Sequence, residues 1–143
     1  FDLPAVLRVT RRTARREGVA GRFRFLPGDL RRFSFERRRY DLVILGHICH
    51  SEGAARTRRL LRAARRALLP GGRILIAEFL ADEGRKGPVA SLLFALVMLA
   101  RTEEGEVFTF GEMRGWLREA GFAEPRRIDA PPNATLLLAR VAP

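Results

Sequence analysis

His47 and His50 stand three residues apart with Cys49 between them, just past the apolar run Tyr40-Asp41-Leu42-Val43-Ile44-Leu45-Gly46. Imidazole is the side chain that most readily takes a proton near neutral pH. In open α/β sheets ligands gather beyond the carboxyl ends of the strands, so a histidine at this address is well placed for chemistry. Glu78 is the second oddity, closing the otherwise apolar run Ile74-Leu75-Ile76-Ala77 before Phe79. A carboxylate is rarely buried without a partner. A neighbouring strand end carrying His50 would supply one, and a carboxylate beside imidazole raises its basicity and fixes its tautomer. The simpler alternative is a strand-end glutamate that reaches water, and for each histidine a loop position without a role. Two histidines and a cysteine are also metal-ligand types. Structural metal sites take about four ligands, however, and the chain has no second Cys/His cluster, so no metal is expected.

Three further groups of carboxylates merit a chemical reading. Asp2 sits where a first strand would end, and a carboxylate there can accept from both hydroxyls of a ribose. It can equally cap the helix that Pro4 opens. Asp29 follows Gly28 at the end of the next apolar segment, where it can accept from an exocyclic purine amine or simply make a turn. Glu103, Glu104 and Glu106 flank Gly105 after a long apolar stretch. They form either a solvated turn or a loop that closes over the site.

The elements that must position these residues are legible from periodicity. Pro4 to Gly18 predicts a helix with Val6, Leu7, Thr10 and Ala14 on one face and arginines on the other. Arg22 to Leu26 alternates as a half-buried strand, and Pro27-Gly28-Asp29 is a turn. Tyr40 to Leu45 predicts a buried strand. Ser51 is a candidate cap for a helix to about Leu69, with Leu60, Leu61, Ala64 and Leu68 inward, ended by Pro70-Gly71-Gly72. Arg73 to Phe79 predicts a strand, about Pro88 to Arg101 a buried helix, and Gly111 to Ala120 another helix. Arg126–Ala130 and Ala134–Val141 predict two strands joined at Pro131-Pro132-Asn133, an antiparallel hairpin. Strand–helix alternation of this kind predicts an α/β fold with a largely parallel twisted sheet, helices on both faces and the hairpin at the end.

Composition bounds the partners. The 143 residues suffice for one domain with a core, and the 47% hydrophobic content is ordinary for a globular protein. The chain opens on Phe1 at an element edge, which predicts a fragment of a longer protein. No apolar stretch is long enough to cross a bilayer. The single cysteine excludes an internal disulfide and fits a reducing, cytoplasmic setting. The net charge of +11 invites a nucleic-acid partner. Yet every basic residue except Lys86 is arginine, and most lie on outer helix faces, which favours solvated surface.

Phe1-Asp2-Leu3-Pro4, Gly28-Asp29-Leu30, Ile48-Cys49-His50, Leu69-Pro70-Gly71-Gly72, Ala77-Glu78 and Glu119-Ala120-Gly121-Phe122 follow one another along nearly the whole chain. This ordered set resembles the S-adenosylmethionine-dependent O-methyltransferases of the caffeic acid and hydroxyindole type. The resemblance implies a Rossmann-like fold and S-adenosyl-L-methionine as cofactor. It places Asp2, with Leu3 beside it, at the ribose, Asp29 and Leu30 at the adenine, and Gly46 where plant members often carry a cofactor-contacting lysine. His50 falls on the catalytic base and Glu78 on one of two acidic residues that orient it. The second acidic position falls on Val107, with Glu106 next to it as the candidate. Met98 and Thr102 fall on positions lining the acceptor pocket. Ser51-Glu52 stands where the family has Asp-Trp. The family's first strand, glycine-rich loop and N-terminal dimerisation domain would lie before Phe1.

The expected activity is methyl transfer to a hydroxyl of a small-molecule acceptor, phenolic or a secondary metabolite, by a parent homodimer, with no membrane partner. A phenol has a pKa of about 10 and histidine about 6.5, so the proton must leave as the new bond forms. Two rivals are a nucleic-acid methyltransferase and a non-catalytic module of the same fold. Against the first, the strand end reads Leu45-Gly46-His47-Ile48, not the Asn/Asp-Pro-Pro-Tyr/Phe pattern of amino-methylating enzymes.

Overall fold

Residues 1–32, 34–130 and 134–142 are described in the computed structural model. The chain divides into two compact units, Phe1–Ser34 and Phe35–Pro143.

In the first unit, helix α1 (Pro4–Arg16) starts on its proline and ends on Arg15 and Arg16, whose charges suit the negative end of the helix dipole. Leu7 and Ala14 are buried, whereas Val6 on the expected inner face is exposed. Asp2 does not cap this helix through its side chain; its Oδ1 accepts from the Leu3 N–H at 2.8 Å. The alternating segment Arg22–Leu26 is not a strand. The pairing consists of one parallel bridge, Asp2 opposite Pro27. It is closed by the Asp2 N–H on the Leu26 carbonyl (3.3 Å) and the Gly28 N–H on the Asp2 carbonyl (3.0 Å). Side-chain alternation marks a strand's faces, but a strand also needs a ladder of backbone partners. Phe23 and Phe25 stack on each other, and the Arg11 guanidinium lies over the Phe25 ring.

The second unit is built on a four-stranded sheet in the order β1-β2-β4-β3. Strands β1 (Tyr40–Gly46) and β2 (Leu68–Glu78) run parallel, joined by helix α2 (Cys49–Ala67). Strands β3 (Arg126–Ala130) and β4 (Ala134–Arg140) form the expected antiparallel pair, and β4 is antiparallel to β2. One of the three ladders is therefore parallel. The expected hairpin connection, Pro131-Pro132-Asn133, lies outside the described residues. Pro70-Gly71-Gly72 falls inside β2, not in a loop before it. The register slips there, from Tyr40 opposite Leu68 to Leu42 opposite Arg73, so the chain leaves α2 directly into an irregular strand start.

Leu60, Leu61 and Ala64 are buried on α2, as their helical spacing requires; Leu68, expected as the last of that set, is buried too but is the first residue of β2, and Ile74, Ile76, Leu137 and Ala139 complete this part of the core. Helix α4 (Phe110–Glu119) adds Met113 and Leu117. It begins with a reciprocal capping box. The Thr109 side chain accepts from the Glu112 N–H, and the Glu112 carboxylate accepts from the Thr109 N–H. Two elements are less buried than their composition predicts. On β1 only Leu45 is buried, while Leu42 and Ile44 face outward. On helix α3 (Val89–Arg101) only Ser91 and Met98 are buried, and Leu93, Leu96 and Leu99 are 59%, 62% and 78% exposed. Apolar composition records what a helix can bury, not whether a neighbour is there to bury it. Among the described residues no helix is long and apolar enough to cross a membrane.

Candidate active site

Pairing of Leu45 with Ile76 and of Gly46 with Ala77 brings the two strand ends level. The ladder continues one step further, with the His47 N–H donating to the Ala77 carbonyl at 2.9 Å. Glu78 therefore ends its strand beside the segment that turns into α2. Its side chain is 1% exposed. Oε1 accepts from the Cys49 N–H at 2.8 Å and from the His50 N–H at 3.4 Å. Oε2 lies 2.7 Å from His50 Nδ1. Glu78 thus does what a cap residue does, from another strand: it satisfies orphan N–H groups and sets a negative charge at the positive end of the helix. Ser51, the expected cap, instead donates its hydroxyl to the Ile48 carbonyl, and Ile48, three residues earlier, stands at the N-cap position.

This geometry fixes the histidine. Two backbone donors mark the carboxylate as an acceptor, so its second oxygen receives the Nδ1 proton. The lone pair of the ring is then on Nε2. His50 is buried, and its ring meets Phe94 edge-on with centroids 4.8 Å apart. Phe94 packs on Phe79, and Phe79 on His47. His47 is exposed and has a left-handed backbone (φ 52°), an uncommon conformation for a side chain with a Cβ. Cys49 is fully buried. Burial, reinforced by the Glu78 carboxylate, pushes its thiol well above the ordinary range, so it is a neutral packing group.

The loop after α3 packs on the same helix start. The Glu106 N–H donates to the His50 carbonyl at 2.7 Å. A Cβ on Gly105 would lie 2.8 Å from that carbonyl and would collide with Thr102 Oγ1. A Cβ on Gly53, which breaks α2 with φ 68°, would lie 2.5 Å from the Glu104 carbonyl. Both glycines let two backbones touch. Thr102 Oγ1 donates to the Met98 carbonyl and accepts from the Gly105 N–H, tying the loop to the helix. Arg56 pairs with Glu104 at 3.2 Å across the same contact.

The predicted residues thus fall into three groups. His50 and Glu78 are brought together. Met98 and Thr102 lie on α3 and its end, linked through Gly105 to the His50 backbone. Glu106 is adjacent but engaged elsewhere: its carboxylate pairs with Arg85 at 3.3 Å, and only its backbone reaches His50. The neighbouring Val107 is fully buried. Asp2, Leu3, Asp29 and Leu30 belong to the first unit. The Asp2–Pro27 bridge sets both aspartates beside one paired position, and both are exposed. Gly46 ends β1 and is exposed.

Two residues escaped the sequence reading. Phe94 lies one helical turn before Met98, a spacing that could have exposed it. Arg85 reaches the Val107 carbonyl (2.7 Å), Glu106 and both Glu112 oxygens from a distant loop, which no local pattern signals.

Residues 1–123 match the family model described as O-methyltransferase domain. The chain is 32% identical over 140 residues to the tetracenomycin polyketide synthesis 8-O-methyl transferase of Streptomyces glaucescens, covering 98% of this chain and 41% of that protein. Among solved structures, an O-methyltransferase family 2 protein of Planctomyces limnophilus in complex with apigenin superposes with a TM-score of 0.85 and 29% identity. That match covers 98% of this chain and 42% of the other. Human N-acetylserotonin methyltransferase in complex with SAM superposes at 0.78 with 28% identity, over 100% of this chain and 40% of that one. The chain thus spans about two fifths of the length of these proteins.

Proposed function

The chain belongs to the O-methyltransferase domain family, and from that premise we propose that it is the catalytic part of an enzyme that methylates a hydroxyl of a small, aromatic acceptor. The observation that carries this is the Glu78–His50 pair, which leaves an imidazole lone pair unengaged by the carboxylate, on a ring that Phe94 meets edge-on and behind which Phe79 packs on Phe94. Bound S-adenosyl-L-methionine would supply an electrophilic methyl group on a sulfonium centre. His50 Nε2 would take the proton of the acceptor hydroxyl as its oxygen becomes the nucleophile. Glu78 holds the ring in the required tautomer and offsets the imidazolium charge that results. Phe79, Phe94 and Met98 offer apolar walls that suit an aromatic ring, and Thr102 lies at the end of the same helix.

The nucleoside end of the cofactor suits the first unit. Asp2 and Asp29 are exposed carboxylates, each using one oxygen on a nearby backbone N–H. A carboxylate accepts from up to four donors, so each retains capacity for hydroxyl or amine donors. Leu3 and Leu30 are their sequence neighbours in the same unit. Similarity to proteins that bind SAM and apigenin supports this assignment of ligand classes. The uncovered face of α3 supports a parent protein in which further chain or a second protomer covers that helix, as the expected homodimer would.

In the full-length enzyme, His50→Ala lowers turnover by about 10²–10⁴-fold while calorimetry shows cofactor affinity retained, because the base acts on the acceptor's proton. Near-normal turnover of that variant on the natural acceptor overturns the assignment.

A further inference from the structure

The three ligand-type side chains at the head of α2 form a compact group. His47, His50 and Glu78 each bring one ligating atom to within 4.8 Å of the others. The sequence left a metal reading short of ligands; the fold sets a carboxylate from β2 behind the histidine pair. We propose that His47 and His50 together bind a divalent transition-metal ion of borderline softness, with Glu78 behind them, and that filling this site shuts off methyl transfer.

The geometry supports a two-histidine site with an oriented second layer. Glu78 Oε2 accepts a hydrogen bond from the Nδ1–H of His50 at 2.7 Å. A carboxylate behind a ligating imidazole is the usual device that fixes the ring's tautomer and strengthens it as a ligand. The lone pair of His50 is then on Nε2, and the ring centroids of His47 and His50 are 6.3 Å apart. Zinc–nitrogen bonds of about 2.0–2.1 Å in a tetrahedral shell put two nitrogens about 3.3 Å apart. His47 is exposed, so its ring can swing to close the difference. Water or a ligand would complete the shell, an open arrangement. The helix end would repel a cation, but its first N–H groups already point at the Glu78 carboxylate. No rival imidazole exists in this chain, which has two histidines, and its one thiol is fully buried.

Inhibition rests on the base role proposed above, because the Nε2 lone pair cannot hold a metal and take a proton together. Binding itself does not rest on it. The test is a calorimetric titration of Zn²⁺ into chelator-treated full-length protein, paired with turnover at increasing Zn²⁺. His47→Asn keeps a residue that tolerates the left-handed backbone, and His47 has no part in the proposed proton transfer. The expected result is one Zn²⁺ site in the wild type, weakened at least about tenfold in His47→Asn and His50→Ala, and about 10–100-fold in Glu78→Gln. Zn²⁺ inhibits the wild type and a chelator restores it, whereas His47→Asn keeps its basal turnover and resists inhibition. Equal Zn²⁺ affinity in the wild type and His47→Asn overturns the site. Wild-type turnover that persists at saturating Zn²⁺ overturns the inhibitory role. If His50→Ala loses Zn²⁺ binding yet turns over normally, the metal site stands and the base assignment falls.

Discussion

Glu78→Gln replaces one oxygen by an amide nitrogen in a site where every neighbour is a fixed donor or a ring. The Cys49 N–H, 2.8 Å away, and the His50 N–H, 3.4 Å away, both require an acceptor at the Oε1 position. The glutamine oxygen must therefore stay there, which turns its NH₂ toward His50 Nδ1. A donor facing Nδ1 selects the tautomer with the proton on Nε2. The substitution keeps the shape of the pair and reverses its chemistry: the atom proposed to accept the proton now carries one.

The two effects separate in size. Two short hydrogen bonds, 2.8 Å and 2.7 Å, lose their charge. A bond to a charged group is worth about 1.5–3 kcal/mol and a neutral one about 0.5–1.5, so the fold loses about 2–3 kcal/mol in total. A domain of ordinary stability, about 5–15 kcal/mol, survives that. Loss of the base costs about 10²–10⁴-fold in turnover, or about 2.7–5.4 kcal/mol of barrier at 1.36 kcal/mol per decade. Turnover, thermal unfolding and the ring-nitrogen NMR shifts of His50 are measured together on the wild type and the variant. A folded Glu78→Gln enzyme with Nε2 unprotonated, or with turnover within about threefold of the wild type, refutes the reasoning.

Three other outcomes follow from contacts already described. Gly105→Ala forces its methyl against the His50 carbonyl and Thr102, and should cost about 1–3 kcal/mol as an overpacked contact; an unchanged unfolding temperature would show that the loop yields freely. Cys49, buried with its thiol held neutral well above the ordinary range, should resist iodoacetamide in the folded protein at pH 8 and react only on unfolding. Rapid labelling of the native state would contradict that. Asp2→Ala, at an exposed carboxylate, should leave the unfolding temperature nearly unchanged yet weaken S-adenosylmethionine binding in the full-length protein by about 10–100-fold, the loss of one charge-assisted hydrogen bond. An unaltered dissociation constant removes Asp2 from the cofactor site.

What the sequence conveyed about the fold follows the reach of each signal. The inward set of α2, Leu60, Leu61 and Ala64, was legible because helical periodicity is written in consecutive residues, whereas Leu68, read as its continuation, already belongs to β2. The final β3–β4 pair was legible because a short connection leaves few other pairings. Arg22–Leu26 misled because alternation describes one segment, whereas a ladder needs a second; the structure pairs only Pro27, with Asp2. α3 misled in the same way, since Leu93, Leu96 and Leu99 advertise burial and remain exposed. Pro70-Gly71-Gly72 has the composition of a loop. It runs instead as the irregular start of β2, its register slip absorbing residues that do not fit a regular ladder.

The site divides along the same line. Glu78 stood out because a charge in an apolar run demands a partner, and the demand was met by His50, just past the neighbouring strand end. Glu106 was proposed as a second acid because it is near Val107 in sequence, but proximity along the chain does not choose between ion pairs. Arg85 does, taking Glu106 together with both oxygens of Glu112. Glu112 in turn closes the capping box of α4, and the Glu106 backbone supports the His50 carbonyl. The loop that would have carried a second orienting carboxylate is thus spent on anchoring the main chain beneath the histidine. One buried carboxylate with three hydrogen bonds then carries the whole orientation of the ring, which is why the chemistry of this site should hinge on Glu78 more than on any other residue except His50 itself.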